Sequence, residues 1–341
     1  MSPVEGPLNR LIGEISRRAA ELGRKRVRDL RPLTERTGLL PLARPGLWSP
    51  NRACRLVRAA DGWIALNLAR EDDRDLMPAW LGCEPTDDPW EAVVAQVRRR
   101  AWRELVAEAR ALGLPAAGVG EARAASTEPP LILAGRPGEG VRERLRVVDL
   151  SALWAGPLCG AVLAALGAEV VKVESLRRPD AGRMATPEFY ARLNAAKAEL
   201  ALDFGEASDR GRLRRMMLEA DVVITSARPR AFDQLGLAPA DIFAERPDLV
   251  WVAISGYGWT GEDAGRVAFG DDAAAAGGLV AWSARNEPRF LGDALADPLT
   301  GLAAAAGALR ALGEGGGAMV DAALARTAAG AAAELGLRRA A

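Results

Sequence analysis

Arg146–Arg183 reads RVVDLSALWAGPLCGAVLAALGAEVVKVESLRRPDAGR, and this passage decides the fold. An apolar run of strand length (146–150) precedes a tight loop, a helical stretch from Gly156 and a second strand-like run (169–174). Two short apolar runs flanking about a dozen helix-forming residues predict a parallel βαβ unit. In open parallel sheets, ligands bind beyond the carboxyl ends of the strands. That places 151–157 and 175–180, with the basic pair Arg177 and Arg178, where a phosphate-bearing ligand would sit. A nicotinamide-binding unit, with Glu174 on a ribose, is the rival. It is disfavoured because the loop lacks the G-x-G-x-x-G spacing that brings backbone against a pyrophosphate.

Outward from this unit the α/β pattern runs on. Strands are expected over 199–204, 221–225 and 249–255, and helices over 209–219, 298–312 and 321–337. Upstream, a helix is expected around 9–30, then a Pro-containing arm to residue 50. Residues 54–68 predict a β-hairpin turning at Asp61-Gly62 in a type I′ turn. Helices over 72–81 and 89–112 follow, then a short strand after Gly113. The expectation is an α/β protein: an arm (1–50), a small α+β domain (51–126), a Pro/Gly-rich linker (127–140) and a Rossmann-like parallel sheet flanked by helices (141–341).

The 341 residues carry no net charge, so nothing favours a nucleic acid or a membrane surface as partner. Three scattered cysteines form neither a zinc site nor a disulfide framework. With no secretion-type leader or spanning apolar run read in the sequence, a cytoplasmic protein is expected. There is no histidine, which excludes Ser-His-Asp and Cys-His catalysis.

The quoted passage resembles the opening of the family III CoA-transferases, the group holding formyl-CoA transferase, carnitine CoA-transferase and alpha-methylacyl-CoA racemase. The matching residues are Asp149-Leu150, Ala155-Gly156-Pro157 and Gly167–Glu174. Further matches are Asn194-Ala-Ala-Lys197, Asp221-Val-Val-Ile, Leu235-Gly-Leu237, Arg246-Pro247, the glycine loop Ser255–Gly261 and the turn Gly315-Gly-Gly317. The resemblance spans about residues 50–325. Its order is unusual, because the small-domain segment precedes the large domain, as in a circular permutation or half of a duplicated gene.

The resemblance implies an aspartate nucleophile in Gly292-Asp-Ala-Leu-Ala-Asp297-Pro-Leu-Thr300-Gly301, nominating Asp297. It implies transfer of CoA between an acyl-CoA and a small carboxylic acid, through an aspartyl anhydride and an aspartyl-CoA thioester, with no permanently bound cofactor and no metal. From spacing alone, Asp before Pro at a helix start also reads as an N-cap. Asp293 reads as a solvated loop residue. Gly256 and Gly258 would offer N–H groups to an oxyanion. Leu153, Trp154 and Ala155 would face the nucleotide, with Arg177, Arg178 and Lys197 near its phosphates. Thr225-Ser226-Ala227 stands where the family often has Glu-Asn-Phe; Ser226 would donate a hydrogen bond to the ligand, and Arg228, just after it, would stack on the base. A racemase would need a base pair here built from Asp271 or Asp272 in place of the family's histidine. A non-catalytic CoA-binding or partner subunit is the other alternative. Assembly is expected as a homodimer, or a heterodimer with a related chain, through the Ala-rich helices after Asp297 and Asp321.

Overall fold

The computed structural model describes residues 3–25, 29–86, 88–138, 140 and 142–337. The strands, in chain order, are β1 (Cys54–Arg58), β2 (Trp63–Asn67), β3 (Ala116–Gly118), β4 (Leu131–Leu133), β5 (Arg146–Leu150), β6 (Glu169–Ser175), β7 (Ala198–Leu202), β8 (Val222–Thr225), β9 (Val250–Ser255), β10 (Val280–Trp282), β11 (Pro288–Phe290) and β12 (Ala318–Ala323).

Seven of them form one sheet in the order β4-β12-β9-β8-β5-β6-β7, parallel except for β4. Its central strands are buried on both faces, which is why Val147, Val148, Val222–Ile224 and Val250–Ile254 read as continuous apolar runs. After the edge strand β4, the chain starts the parallel part of the sheet at β5, winds outward to β7, then crosses back to β8 beside β5. The switch point therefore lies between β5 and β8, and Ser226 Oγ bridges it by accepting the Ala152 N–H at 2.9 Å.

One face of the sheet is covered by the Ala296–Gly313 helix, which packs on the Glu5–Glu21, Ala155–Ala165 and Leu324–Glu334 helices. Close packing explains its small residues. A Cβ on Gly301 would lie 2.6 Å from the Ala155 carbonyl oxygen. Nearly all of this helix is buried within the chain, as are most residues of Leu324–Glu334. Neither is free for the intersubunit contact expected from sequence.

The upstream unit has its own core, built by Val57, Ile64, Leu66, Trp80, Val93, Val97 and Leu105. The other face of its β1-β2 hairpin packs Cys54, Leu56 and Ala65 against Ala275, Val280 and Phe290. This docks the small unit on the Gly270–Ala276 helix.

Several expectations change. The N-terminal helix ends at Glu21, short of residue 30. The 89–112 helix is two, Pro89–Val97 and Trp102–Leu112, and 72–81 is likewise split. The hairpin loop runs from 59 to 62, and Gly62 is not left-handed, so the turn is not type I′. Glycine is needed there because a Cβ would meet the Trp102 ring at 2.8 Å, while Asp61 Oδ1 accepts the Trp102 N–H and starts that helix. Within the expected linker, Leu131–Leu133 adds the antiparallel edge strand. Residues 321–323 close β12 instead of opening a helix.

Candidate active site

Asp297 lies in the first turn of the Ala296–Gly313 helix, one residue inside its start. It is no N-cap. Its N–H donates to the Ala294 carbonyl at 2.9 Å, and its side chain makes no capping bond. Among the described residues nothing donates to the carboxylate, which packs against Gly270 at the start of the next helix. A Cβ built on Gly270 would fall well inside contact distance of Asp297 Oδ2 and lie 2.7 Å from the Ala294 oxygen.

The carboxylate shares its surroundings with two others. Asp271 Oδ1 accepts the Ala294 N–H at 2.8 Å, and its Oδ2 accepts Asn51 Nδ2 at 2.8 Å. The same Asn51 nitrogen lies 3.1 Å from Asp293 Oδ1. Asp293 is not a solvated loop residue. Arg36 Nε and Nη2 grip both of its oxygens at 2.8 Å. Ala294, between them, has φ 46°, a left-handed conformation costing an alanine about 1–2 kcal/mol. That cost is tolerated where the surroundings over-determine the turn.

Burial pushes the Asp297 carboxyl up to about 7, with Arg36 opposing and Asp271 and Asp293 adding. Burial and then Asp293 raise Asp271 to about 6. Asp272 turns the other way, toward the small unit, where Oδ1 accepts Asn67 Nδ2 (3.1 Å) and the Phe269 N–H (3.0 Å). Its Oδ2 is buried without a hydrogen-bond partner among the described residues, and burial lifts the group to about 8.

These acids hold protons in the folded state that the unfolded chain has released above its ordinary value of 3.8. Stability therefore falls as pH rises from about 4 to 8 and levels off above, by about 1.4 kcal/mol for each pH unit over which a carboxyl stays protonated only when folded. The melting temperature should be several degrees lower at pH 8.5 than at pH 5.5. Asp272→Asn, which keeps the Oδ1 acceptor, should flatten that slope. A melting curve independent of pH in this window would contradict the assignment.

At the carboxyl ends of β5, β6 and β8 the charges are arranged differently. Lys172 is fully buried and ties Ser151 O (2.7 Å) to Asp180 Oδ2 (3.0 Å). Asp180 in turn accepts the Leu153 N–H, holding Leu153 at φ 68° with the residue 44% exposed. Of the first-loop residues, only Leu153 faces out. Ala155 is buried. Trp154 is 4% exposed, edge-on to Phe189 and donating Nε1 to Leu33 O at 3.0 Å. It carries the N-terminal arm and has no open face for a nucleotide.

Lys197 is also committed. Its Nζ donates at 2.8 Å to Asp149 Oδ2, Pro157 O and Asn194 Oδ1, beneath the protein surface. All three ammonium donors are used, which speaks against the phosphate role expected from sequence. Arg177 is exposed and paired with Asp203 (2.9 Å). Arg178 is exposed without a carboxylate partner among the described residues. Arg228 is exposed, and partial desolvation and then Arg230, Arg70 and Arg178 make it a weaker base than an ordinary guanidinium. Four guanidinium groups thus converge by the switch point. Arg70, from the end of β2, escaped sequence reading because only the docking of the small unit brings it here.

In the glycine loop, the Gly258 N–H donates to Ser255 Oγ at 2.9 Å, so it is not open to an oxyanion. Gly256 instead permits close approach of the segment leading to Gly270. A Cβ there would meet the Ala268 Cβ at 2.9 Å.

The sequence model of CoA-transferase family III matches residues 143–337. The chain belongs to that family. It is 32% identical over 211 residues to an acyl-CoA transferase of Fusarium pseudograminearum, covering 55% of this chain and 46% of that protein. It is 38% identical over 117 residues to the alpha-methylacyl-CoA racemase of Mus musculus, covering 34% and 28% respectively. A crystal structure of a CAIB/BAIF family protein from Brucella suis superposes with a TM-score of 0.51 at 31% identity, covering 56% of this chain and 55% of that one. The chain spans about half the length of the curated relatives it matches. Among the described residues, no helix is long and apolar enough to cross a membrane.

Proposed function

We propose that this protein transfers CoA between an acyl-CoA and a small carboxylic acid, with Asp297 as nucleophile. The observation that carries this reading is a half-buried Asp297 carboxylate that no donor among the described residues touches. Such an oxygen gives up no hydrogen bond on attack, and burial raises its basicity. Attack on the thioester carbonyl expels CoA thiolate and leaves an aspartyl–acyl anhydride. The thiolate attacks the aspartyl carbonyl, releasing the first acid and forming an aspartyl-CoA thioester. The acceptor carboxylate attacks that thioester, and the thiolate then takes the new acyl group and frees Asp297.

Coenzyme A enters as substrate, and the switch point suits its nucleotide. Leu153 offers an apolar face, and Arg228 and Arg178 offer cations for the phosphates, whereas Arg70 is held by Asp73. Arg177 and Lys197, held by Asp203 and Asp149, drop from the expected set. Calorimetry with CoA and dephospho-CoA tests the placement. Alanine at Arg228 or Arg178 should cost about 1.5–3 kcal/mol of CoA affinity where the lost cation meets a phosphate. The residue facing the 3′-phosphate should lose less toward dephospho-CoA. If both variants bind CoA like wild type, the site lies elsewhere.

One observation favours a second reading. Asp271 and Asp297 are both raised toward neutrality, as a proton-exchanging carboxylate pair requires. A racemase would wash deuterium from D2O into the α-position of a 2-methylacyl-CoA without any acceptor acid; a transferase would not. The half-length match keeps a partner subunit open as well. A homodimer, or a related chain completing the site, belongs to this proposal, and light scattering reads the difference. A binding subunit alone would give no exchange of CoA between acids.

A further inference from the structure

Arg36 lies on the N-terminal arm, outside the stretch matched by the family, yet it reaches the carboxylate group around Asp297. The arm is anchored where Leu33 O accepts Trp154 Nε1 and Pro32 O accepts Arg192 Nη1 (3.2 Å). From there the Arg36 guanidinium lies 4.8 Å from the centre of the Trp154 ring and binds Asp293 through two parallel bonds. Both side chains are largely buried, at 15% and 10% exposure. A bidentate pair of this kind fixes orientation as well as charge.

Asp293 is the first residue of the turn that ends in Asp297. The turn is pinned at Asp293 by Arg36 and Asn51, and at Ala294 by Asp271. Its last bond, from Asp297 N to Ala294 O, aims the carboxylate. We propose that Arg36 is a positioning residue for Asp297, forming with Asp293 a clamp, supplied by the N-terminal arm, that holds the 293–297 turn and balances the charge around the carboxylate. The inference rests on Asp297 being the nucleophile, as proposed above.

The charged groups facing Asp297 are Arg36 from the arm, Asp293 from the turn and Asp271 from the adjoining helix. Removing Arg36 leaves two acids uncompensated, so Asp297 should hold its proton to higher pH. Removing the Asp293 charge should do the reverse. Only the ionised carboxylate attacks, so the rate of transfer should follow the same displacement along the pH axis.

The test is carbon-13 NMR of protein labelled at the aspartate carboxyls, with the Asp297 signal assigned by its loss in Asp297→Asn. The wild-type midpoint is expected near 7. Arg36→Met should raise it by about one pH unit, Asp293→Asn should lower it by about as much, and Arg36→Lys should fall between wild type and Arg36→Met. Transfer rates against pH are recorded on the same proteins. Midpoints that stay put in both Arg36→Met and Asp293→Asn overturn the clamp, whatever the activity. Displaced midpoints in a protein that transfers no CoA would keep the clamp and reject the transferase reading. Should Arg36→Met fail to fold, Arg36→Lys and Asp293→Asn still decide.

Discussion

Asp297→Asn is expected to lose about 10⁴-fold or more in CoA transfer, the scale seen when a nucleophile is removed. The fold should survive. The native side chain accepts no hydrogen bond from the described residues, and the amide has nearly the carboxylate's shape. Its burial cost is lower, because the charged form no longer has to be desolvated. At pH 8.5 the variant should melt at or above the wild-type temperature. CoA affinity should be unchanged, since the arginines at the switch point are untouched. A folded Asp297→Asn retaining more than about 1% of the wild-type rate would remove the residue from this role.

Gly270→Ala is expected to have the second-largest effect. Gly270 is not left-handed, so alanine's backbone would be comfortable there. The damage comes from contact alone. The new methyl would enter the space of Asp297 Oδ2 and crowd Ala294, whose Cβ lies 2.8 Å from the added atom. Either the carboxylate rotates away or the strained 293–297 turn shifts. A displacement near 1 Å at a reacting group costs about 10²-fold in rate. Overpacking should cost about 1–3 kcal/mol of stability. Rate and melting temperature together check this. An alanine variant with normal turnover would show that the carboxylate does not work from the position described.

The large sheet is legible because its central strands are buried on both faces and carry unbroken Val/Ile runs, while Asp149-Leu150 and Ala155-Gly156-Pro157 mark the first crossover. Leu131–Leu133 hides among prolines and glycines, since a three-residue edge strand has too little period to read. The break at 98–101 is masked by apolar spacing that continues across it. At the site, the Asp297 motif and Gly256 each stand in one local passage and can be read there. Arg36 and Asn51 lie 257 and 242 residues from the Asp293 they meet, and Arg70 approaches Arg228 from the other unit, so no local pattern pairs them. Lys197 misleads for a related reason. A lysine at a strand's end looks free until Asp149 and Asn194 are seen closing around it.

The central claim is that Asp297 becomes covalently acylated. Incubating the protein with a panel of acyl-CoAs and hydroxylamine, then digesting it for mass spectrometry, measures this directly. Hydroxylamine opens an aspartyl anhydride or an aspartyl thioester at the aspartyl carbonyl to a hydroxamate, a stable mark on one residue. A hydroxamate on Asp297, absent without acyl-CoA and absent from Asp297→Asn, is the predicted result. An unmodified Asp297 in protein that exchanges CoA between two acids, or the mark on another carboxylate, would contradict it.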